Sequence, residues 1–172
     1  MVIIAEIIGC IAIVASVLIY QQKTEKGILL NKGLTDGLWI CHYALISAYT
    51  GAAISGVALT REIVLFYNQR RGVKSKRVLL LFLLASAVCT AITWQDLYSI
   101  FPAVTSLLSV VSFWIGKPKI LRFISFPAST CMLLYGIHNG SVTVIVNESL
   151  IMLSSFLGLV FSDRKQQKNP TA

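Results

Sequence analysis

Tyr49-Thr50-Gly51 is the weak break in an otherwise apolar run over residues 34–68, and its reading decides the fold. The run is too long for one bilayer-crossing helix, because a hydrocarbon core of roughly 30 Å takes about 20 residues. Either one long helix passes through, or Gly51 turns the chain into a hairpin. The basic residues choose between these. Four segments are basic: Lys23/Lys26/Lys32, Arg70/Arg71/Lys74/Lys76/Arg77, Lys117/Lys119/Arg122 and Arg164/Lys165/Lys168. Three linkers carry no Lys or Arg: Tyr49-Thr50-Gly51, Trp94-Gln95-Asp96 and His138-Asn139-Gly140. With a hairpin the two kinds of linker alternate strictly. All basic segments then share one face, as the cytoplasmic preference of Lys and Arg requires. With one long helix the first two basic segments would fall on opposite faces.

Working outward, the sequence predicts an all-α membrane protein of seven transmembrane helices. The spans are residues 2–20, 30 or 34 to 49, 51–68, 78–94, 97–115, 120–137 and 141–161, with the N-terminus outside and the C-terminus in the cytoplasm. The composition agrees: 56% of residues are hydrophobic and 13% charged, against about 25% charged in soluble domains. A net charge of +8 would suggest nucleic acid in a soluble chain. Here the basic residues lie between apolar runs, so the charge is topological and nucleic acid is not an expected partner. Residues 1–20 lack a basic n-region and a small-residue cleavage site, and read as a span rather than a cleaved leader. Residues 163–172 read as a polar, disordered cytoplasmic tail. Cys10, Cys41, Cys89 and Cys131 show no metal-ligand or redox spacing and read as helix-packing residues.

Two of the non-basic linkers match as tight hairpins. Setting Tyr49-Thr50-Gly51-Ala52 over His138-Asn139-Gly140-Ser141 places spans 2 and 3 over spans 6 and 7. Span 1 falls over span 5 after a shift of about one turn, which puts Gly9 near Pro102 and Ser16 near Ser109. Two parallel three-helix repeats need an odd linker helix between them, and span 4 supplies it. The division is residues 1–70 for the first repeat, 71–96 for a cytoplasmic loop and linker helix, 97–162 for the second repeat and 163–172 for the tail. The alignment brings Ala58-Leu59 over Asn147-Glu148.

The charges inside the spans are the candidate site. Arg61 in mid-span costs roughly 2.5–3.5 kcal/mol on insertion scales, so it must face protein or water and find a partner. Glu148 in the matching helix of the other repeat is the expected partner. The pair reads either as a substrate-binding centre or as a structural lock between the repeats. Asn147 and Glu148 belong to a polar stripe with Ser141 and Thr143. Glu62 points about 100° away from Arg61 and is expected to meet span 1 or 2, where His42 lies at mid-depth. His42, beside Tyr43, reads as a relay residue or as a neutral, satisfied histidine. Glu6, under two turns from the outer end of span 1, is expected to reach out to the interface. Pro102 is expected to kink or break the start of span 5, a device suited to gating. Ser86, Thr90, Thr105, Ser106, Ser109, Ser125 and Ser129 read as helix-packing residues. The sequence shows no zinc-ligand spacing, nucleotide loop or nucleophile elbow, so no catalytic residue, metal or cofactor is assigned and no enzyme is expected.

His42-Tyr43, Arg61, Phe101-Pro102 and His138-Asn139-Gly140-Ser141 with Glu148 resemble the YgjV-like bacterial inner-membrane proteins, over roughly residues 38–164. The resemblance implies an inner-membrane location and brings no activity with it. The 3+1+3 layout is similar to that of SWEET sugar facilitators and PnuC vitamin transporters at the level of fold alone. The functional expectation is a transporter or facilitator of a small polar solute. Its site would lie between the repeats at Arg61, Asn147, Glu148 and His42, with Glu62, Pro102 and Glu6 in structural or gating roles. The alternative is a non-transporting membrane scaffold or envelope-stress partner. Either would have the lipid bilayer as its partner and leaves self-association open.

Overall fold

The computed structural model describes residues 2–19, 25–72, 75–115 and 118–168, with some side chains inside these ranges, such as those of 17–19, 25–30 and 161–168, outside the description. Lys23, Lys74, Lys117 and residues 169–172 lie outside it, so the expectations resting on them stay with the sequence. The described residues form seven α-helices and no strand. They are α1 (Val2–Ile19), α2 (Glu25–Leu45), α3 (Tyr49–Arg70), α4 (Lys76–Ile92), α5 (Ile100–Ile115), α6 (Pro118–His138) and α7 (Val142–Lys168). The expected all-α fold with a hairpin inside residues 34–68 is therefore present. Among the described residues no helix is long and apolar enough to cross a membrane, so bilayer-length spans are not met by them alone. α7 continues to Lys168, which replaces most of the expected disordered tail with helix.

The hairpin turns at Ile46-Ser47-Ala48, slightly earlier than expected. Ser47 takes the left-handed conformation, φ 61°, which non-glycine residues adopt uncommonly. Gly51 lies inside α3 and is small for another reason. A Cβ there would sit 3.0 Å from the rings of Tyr43 and Tyr135. The second hairpin turns through Gly140, φ 66°, the residue a helix C-terminus favours. The two turns share one hydrogen-bond pattern. Ser47 N donates to Ala44 O and Ala48 N to Tyr43 O, while Gly140 N donates to Ile137 O and Ser141 N to Gly136 O.

This equivalence sets a register. α6 follows α2 by 93 residues at both ends (25 to 118, 45 to 138), and α7 starts 93 residues after α3 (49 to 142). The same offset places Gly9 over Pro102 and Ser16 over Ser109, as expected for the first helices. By helix bounds Tyr49 falls in register with Val142 and Asn147-Glu148 with Ile54-Ser55, about one turn from the alignment of Tyr49 with His138 and of Ala58-Leu59 with Asn147-Glu148. The turn is made by a serine in one hairpin and a glycine in the other.

α2 packs between α1 and α3, and α6 between α5 and α7. α1 meets α7 and α3 meets α5, so six helices close a ring, with α4 leaning on α3 and α5. The three linkers without Lys or Arg gather at one end of the ring. Gln95 joins two of them, donating through Nε2 to Ser47 O at 2.8 Å and accepting from Tyr49 N at 3.0 Å. His138 Nε2 lies 2.7 Å from Asp96 Oδ2 and its ring stacks on Tyr98 at 3.7 Å. Asp96 also caps the 3-10 turn Leu97–Ser99 that leads into α5. Pro102 sits in the first turn of α5, where a missing N–H leaves no bond unmade. The proline within a helix is Pro127 of α6.

Buried hydroxyls and charges stand beside the apolar core, and many large apolar side chains are exposed. Buried residues include Thr35, His42, Thr50, Arg61, Ser86, Ser106, Ser112, Ser129, Ser141 and Glu148. Ile3, Ile7, Leu80, Leu84, Ile92, Phe123, Leu153 and Phe156 are exposed. Two cysteines expected to pack between helices, Cys10 and Cys41, are also exposed.

Candidate functional site

The end of the ring near the hairpin turns is filled. Trp39, Tyr43, Tyr135, Ala12, Ala48 and Val144 form its core. Tyr43 stands 5.9 Å from Trp39 and 6.2 Å from Tyr135 between ring centroids. Tyr135 fixes the seal to α3 by accepting a hydrogen bond from Gly51 N at 3.3 Å.

His42 belongs to this plug. It is fully buried, with Nδ1 2.7 Å from Ala5 O and Nε2 2.9 Å from Ser141 Oγ. A carbonyl oxygen only accepts, so Nδ1 carries a proton and donates to Ala5 O, and Nε2 shares a hydrogen bond with the Ser141 hydroxyl. One imidazole thus pins α2 to α1 and α7. Gly9 makes room for it, because a Cβ there would clash with Thr143 and lie 3.1 Å from His42 Nδ1. Glu6 does not reach out to the interface. Its Oε2 accepts from Thr143 N at 2.8 Å, and Ser141 Oγ accepts from Val144 N at 3.3 Å. Both fill donors that the start of α7 leaves open. The expected meeting of Glu62 with His42 does not occur, because the two lie at different depths.

Beyond the plug the ring opens into a cavity of two lobes. One, about 180 Å³, is lined by Asp36, Trp39 and Tyr43 of α2, Ile54, Ser55, Ala58 and Arg61 of α3, Thr105, Ser106 and Ser109 of α5, Met132 of α6, and Asn147 and Glu148 of α7. The other, about 200 Å³, is lined by α5, α6 and α7 and shares Thr105, Ser109, Met132 and Glu148 with the first. Each exceeds the roughly 10–15 Å³ that one water needs. Arg61, Asn147 and Glu148 are therefore brought to one lobe, as expected, while His42 stands outside it.

The expected Arg61–Glu148 ion pair is replaced by another. Arg61 Nη2 lies 3.7 Å from Glu62 Oε1, and Asp36 adds its charge from α2. Neighbouring residues diverge by about 100° at Cβ, but the long stems of Arg61 and Glu62 let their heads converge. Depth explains the absence of the other pair. Arg61 is twelve residues from the start of α3 and Glu148 six from the start of α7, about 18 Å and about 9 Å along their axes. Glu148 instead has neutral partners, Asn147 Nδ2 at 3.1 Å and the Ser129 hydroxyl.

Several lining residues were passed over by sequence reasoning. Asp36 carries a charge two turns before Tyr43, on the same face, and that spacing was the available signal. Thr105, Ser106, Ser109, Ser125 and Ser129, read as packing residues, all line the cavity. Some also pack: Ser106 Oγ is 2.7 Å from Ser86 Oγ, and Thr105 Oγ1 donates to Ala128 O at 2.9 Å.

Comparison with protein families finds one whose model, described as a bacterial inner membrane protein, matches residues 3–166. No curated protein and no solved structure matches the chain.

Proposed function

The chain belongs to the Imp-YgjV family of bacterial inner membrane proteins, and from that premise we propose that it is a multi-pass carrier or facilitator of a small polar solute. Its seven helices cross the membrane, with the hairpin turns outside and the C-terminus in the cytoplasm. α1–α3 and α5–α7 are parallel three-helix repeats, and α4 is the linker between them. The constant 93-residue register, and the contacts of α1 with α7 and α3 with α5, support this 3+1+3 reading. The exposed apolar side chains and the buried hydroxyls and charges support a lipid surround, which cannot satisfy polar groups. Among the described residues no helix is both long and apolar enough to cross a membrane, so the spanning reading rests on the family and on this burial pattern.

The observation that carries the transport reading is a cavity lined by helices of both sets, into which Asp36, Arg61, Asn147 and Glu148 bring polar groups among apolar side chains. Repeat-built carriers bind near the middle of the bilayer, between their repeats, and rock one against the other. The seal of Trp39, Tyr43 and Tyr135 makes this conformation closed toward the hairpin turns. The alternative, a non-transporting membrane scaffold or envelope-stress partner, predicts no solute uptake. The test is uptake of a panel of small polar solutes into liposomes holding the purified chain. At least one solute enters, and Ala58→Trp, which fills the lobe, abolishes its entry in protein that remains folded. Absence of uptake for the whole panel, or uptake indifferent to Ala58→Trp and to Arg61→Ala, overturns the proposal.

A further inference from the structure

We infer that the solute is a small organic monocation, with its positive group at Glu148 and its body against Trp39 and Tyr43. This rests on the transport reading and narrows it to a class of substrate.

The charges of the cavity point that way. Arg61 is engaged by Glu62 at 3.7 Å and by Asp36 from the facing helix. It is therefore already neutralised and offers no net positive charge to an anion. Glu148 is 8% exposed, and its partners among the described residues, Asn147 and Ser129, are neutral. A carboxylate buried among neutral groups is costly, and an entering cation removes that cost. Among the described lining residues an entering anion would meet the carboxylates of Glu148 and Asp36, and an Arg61 already facing Glu62.

The rest of the lobe suits an organic cation. Trp39 and Tyr43 line the same lobe as Glu148, and aromatic faces attract cations most strongly where water is excluded. The adjoining lobe supplies acceptor oxygens. Ser112 is 3% exposed, its hydroxyl has no hydrogen-bond partner, and it lines that lobe with Ser109 and Ser129. A buried hydroxyl left without a partner is what a bound ammonium or its hydration water would satisfy.

Choline and 3,3-dimethylbutan-1-ol have the same shape and differ in having nitrogen or carbon at the quaternary centre. Calorimetric titration of the full chain in lipid nanodiscs should show choline binding at least tenfold tighter than the alcohol. Glu148→Gln should weaken choline by about 10- to 100-fold and remove the discrimination. Trp39→Leu, an independent variant should Glu148→Gln not fold, should weaken choline by about tenfold or more and the alcohol less. Equal binding of the two probes overturns the inference. So does absence of binding for choline, ethanolamine and tetramethylammonium alike, choline binding indifferent to both variants, or acetate binding that depends on Arg61. Liposome flux separates the two proposals. Choline bound but never transported keeps the cation site and sinks the carrier, whereas flux of a neutral or anionic solute keeps the carrier and sinks the cation site.

Discussion

Replacing His42 tests how the plug holds the two helix sets together. The imidazole is fully buried and makes two hydrogen bonds, to Ala5 O at 2.7 Å and to Ser141 Oγ at 2.9 Å. Hydrogen bonds between membrane helices average about 0.6 kcal/mol and reach about 1.7, so losing both costs about 1 to 3 kcal/mol. His42→Phe keeps most of the volume and should cost about that much. His42→Ala also leaves a cavity against Trp39 and Tyr43, which stand 5.4 Å away between ring centroids, and should cost about 2 kcal/mol more. Ser141→Ala removes the His42 bond together with the hydroxyl that accepts from Val144 N, a cap worth about 1 kcal/mol. In a double-mutant cycle of His42→Phe and Ser141→Ala, the shared bond should appear as a coupling of about 0.6 to 1.7 kcal/mol. Reversible unfolding in mixed micelles measures all four corners. Additivity within about 0.3 kcal/mol would refute the pin across α2 and α7, and equal losses for His42→Ala and His42→Phe would refute the close packing around it.

Three further outcomes follow. Gly136→Ala places a Cβ 2.8 Å from Val144 Cγ1, so it should destabilise by about 1–3 kcal/mol. Val144→Ala in the same chain should recover part of that loss, read in the same micelle assay. Gly51→Ala puts a Cβ 3.0 Å from the rings of Tyr43 and Tyr135. It should cost about 1–3 kcal/mol and loosen the seal, measured as faster alkylation of a cysteine placed at Ser55. Cysteines at Ser47, Gln95 and Asn139, in a chain with its four native cysteines replaced, should all react with a membrane-impermeant maleimide from one side of the membrane. A cysteine at Ser75 should react only from the other side. Labelling of Ser47 and Asn139 from opposite sides would end the parallel arrangement of the two hairpins.

The sequence by itself determined the helix count, the hairpin within residues 34–68 and the common end for the three linkers without Lys or Arg. These depend on hydrophobic length and on the placement of charge, which are properties of composition along the chain. It also led to the expectation that Arg61, Asn147 and Glu148 face the interior, since charged and amide groups in long apolar runs need partners, and all three line one lobe. Only the tertiary structure decided which partners they meet. Ser47, not Gly51, takes the left-handed turn conformation, which places the start of α3 at Tyr49. Depth then separates Arg61 from Glu148, and the flexibility of long side chains, which periodicity does not record, joins Arg61 to the neighbour it seemed to turn away from. Glu6 became a cap for α7 and His42 a pin, because a polar group buried in a bundle takes whichever open donor or acceptor the packing brings to it.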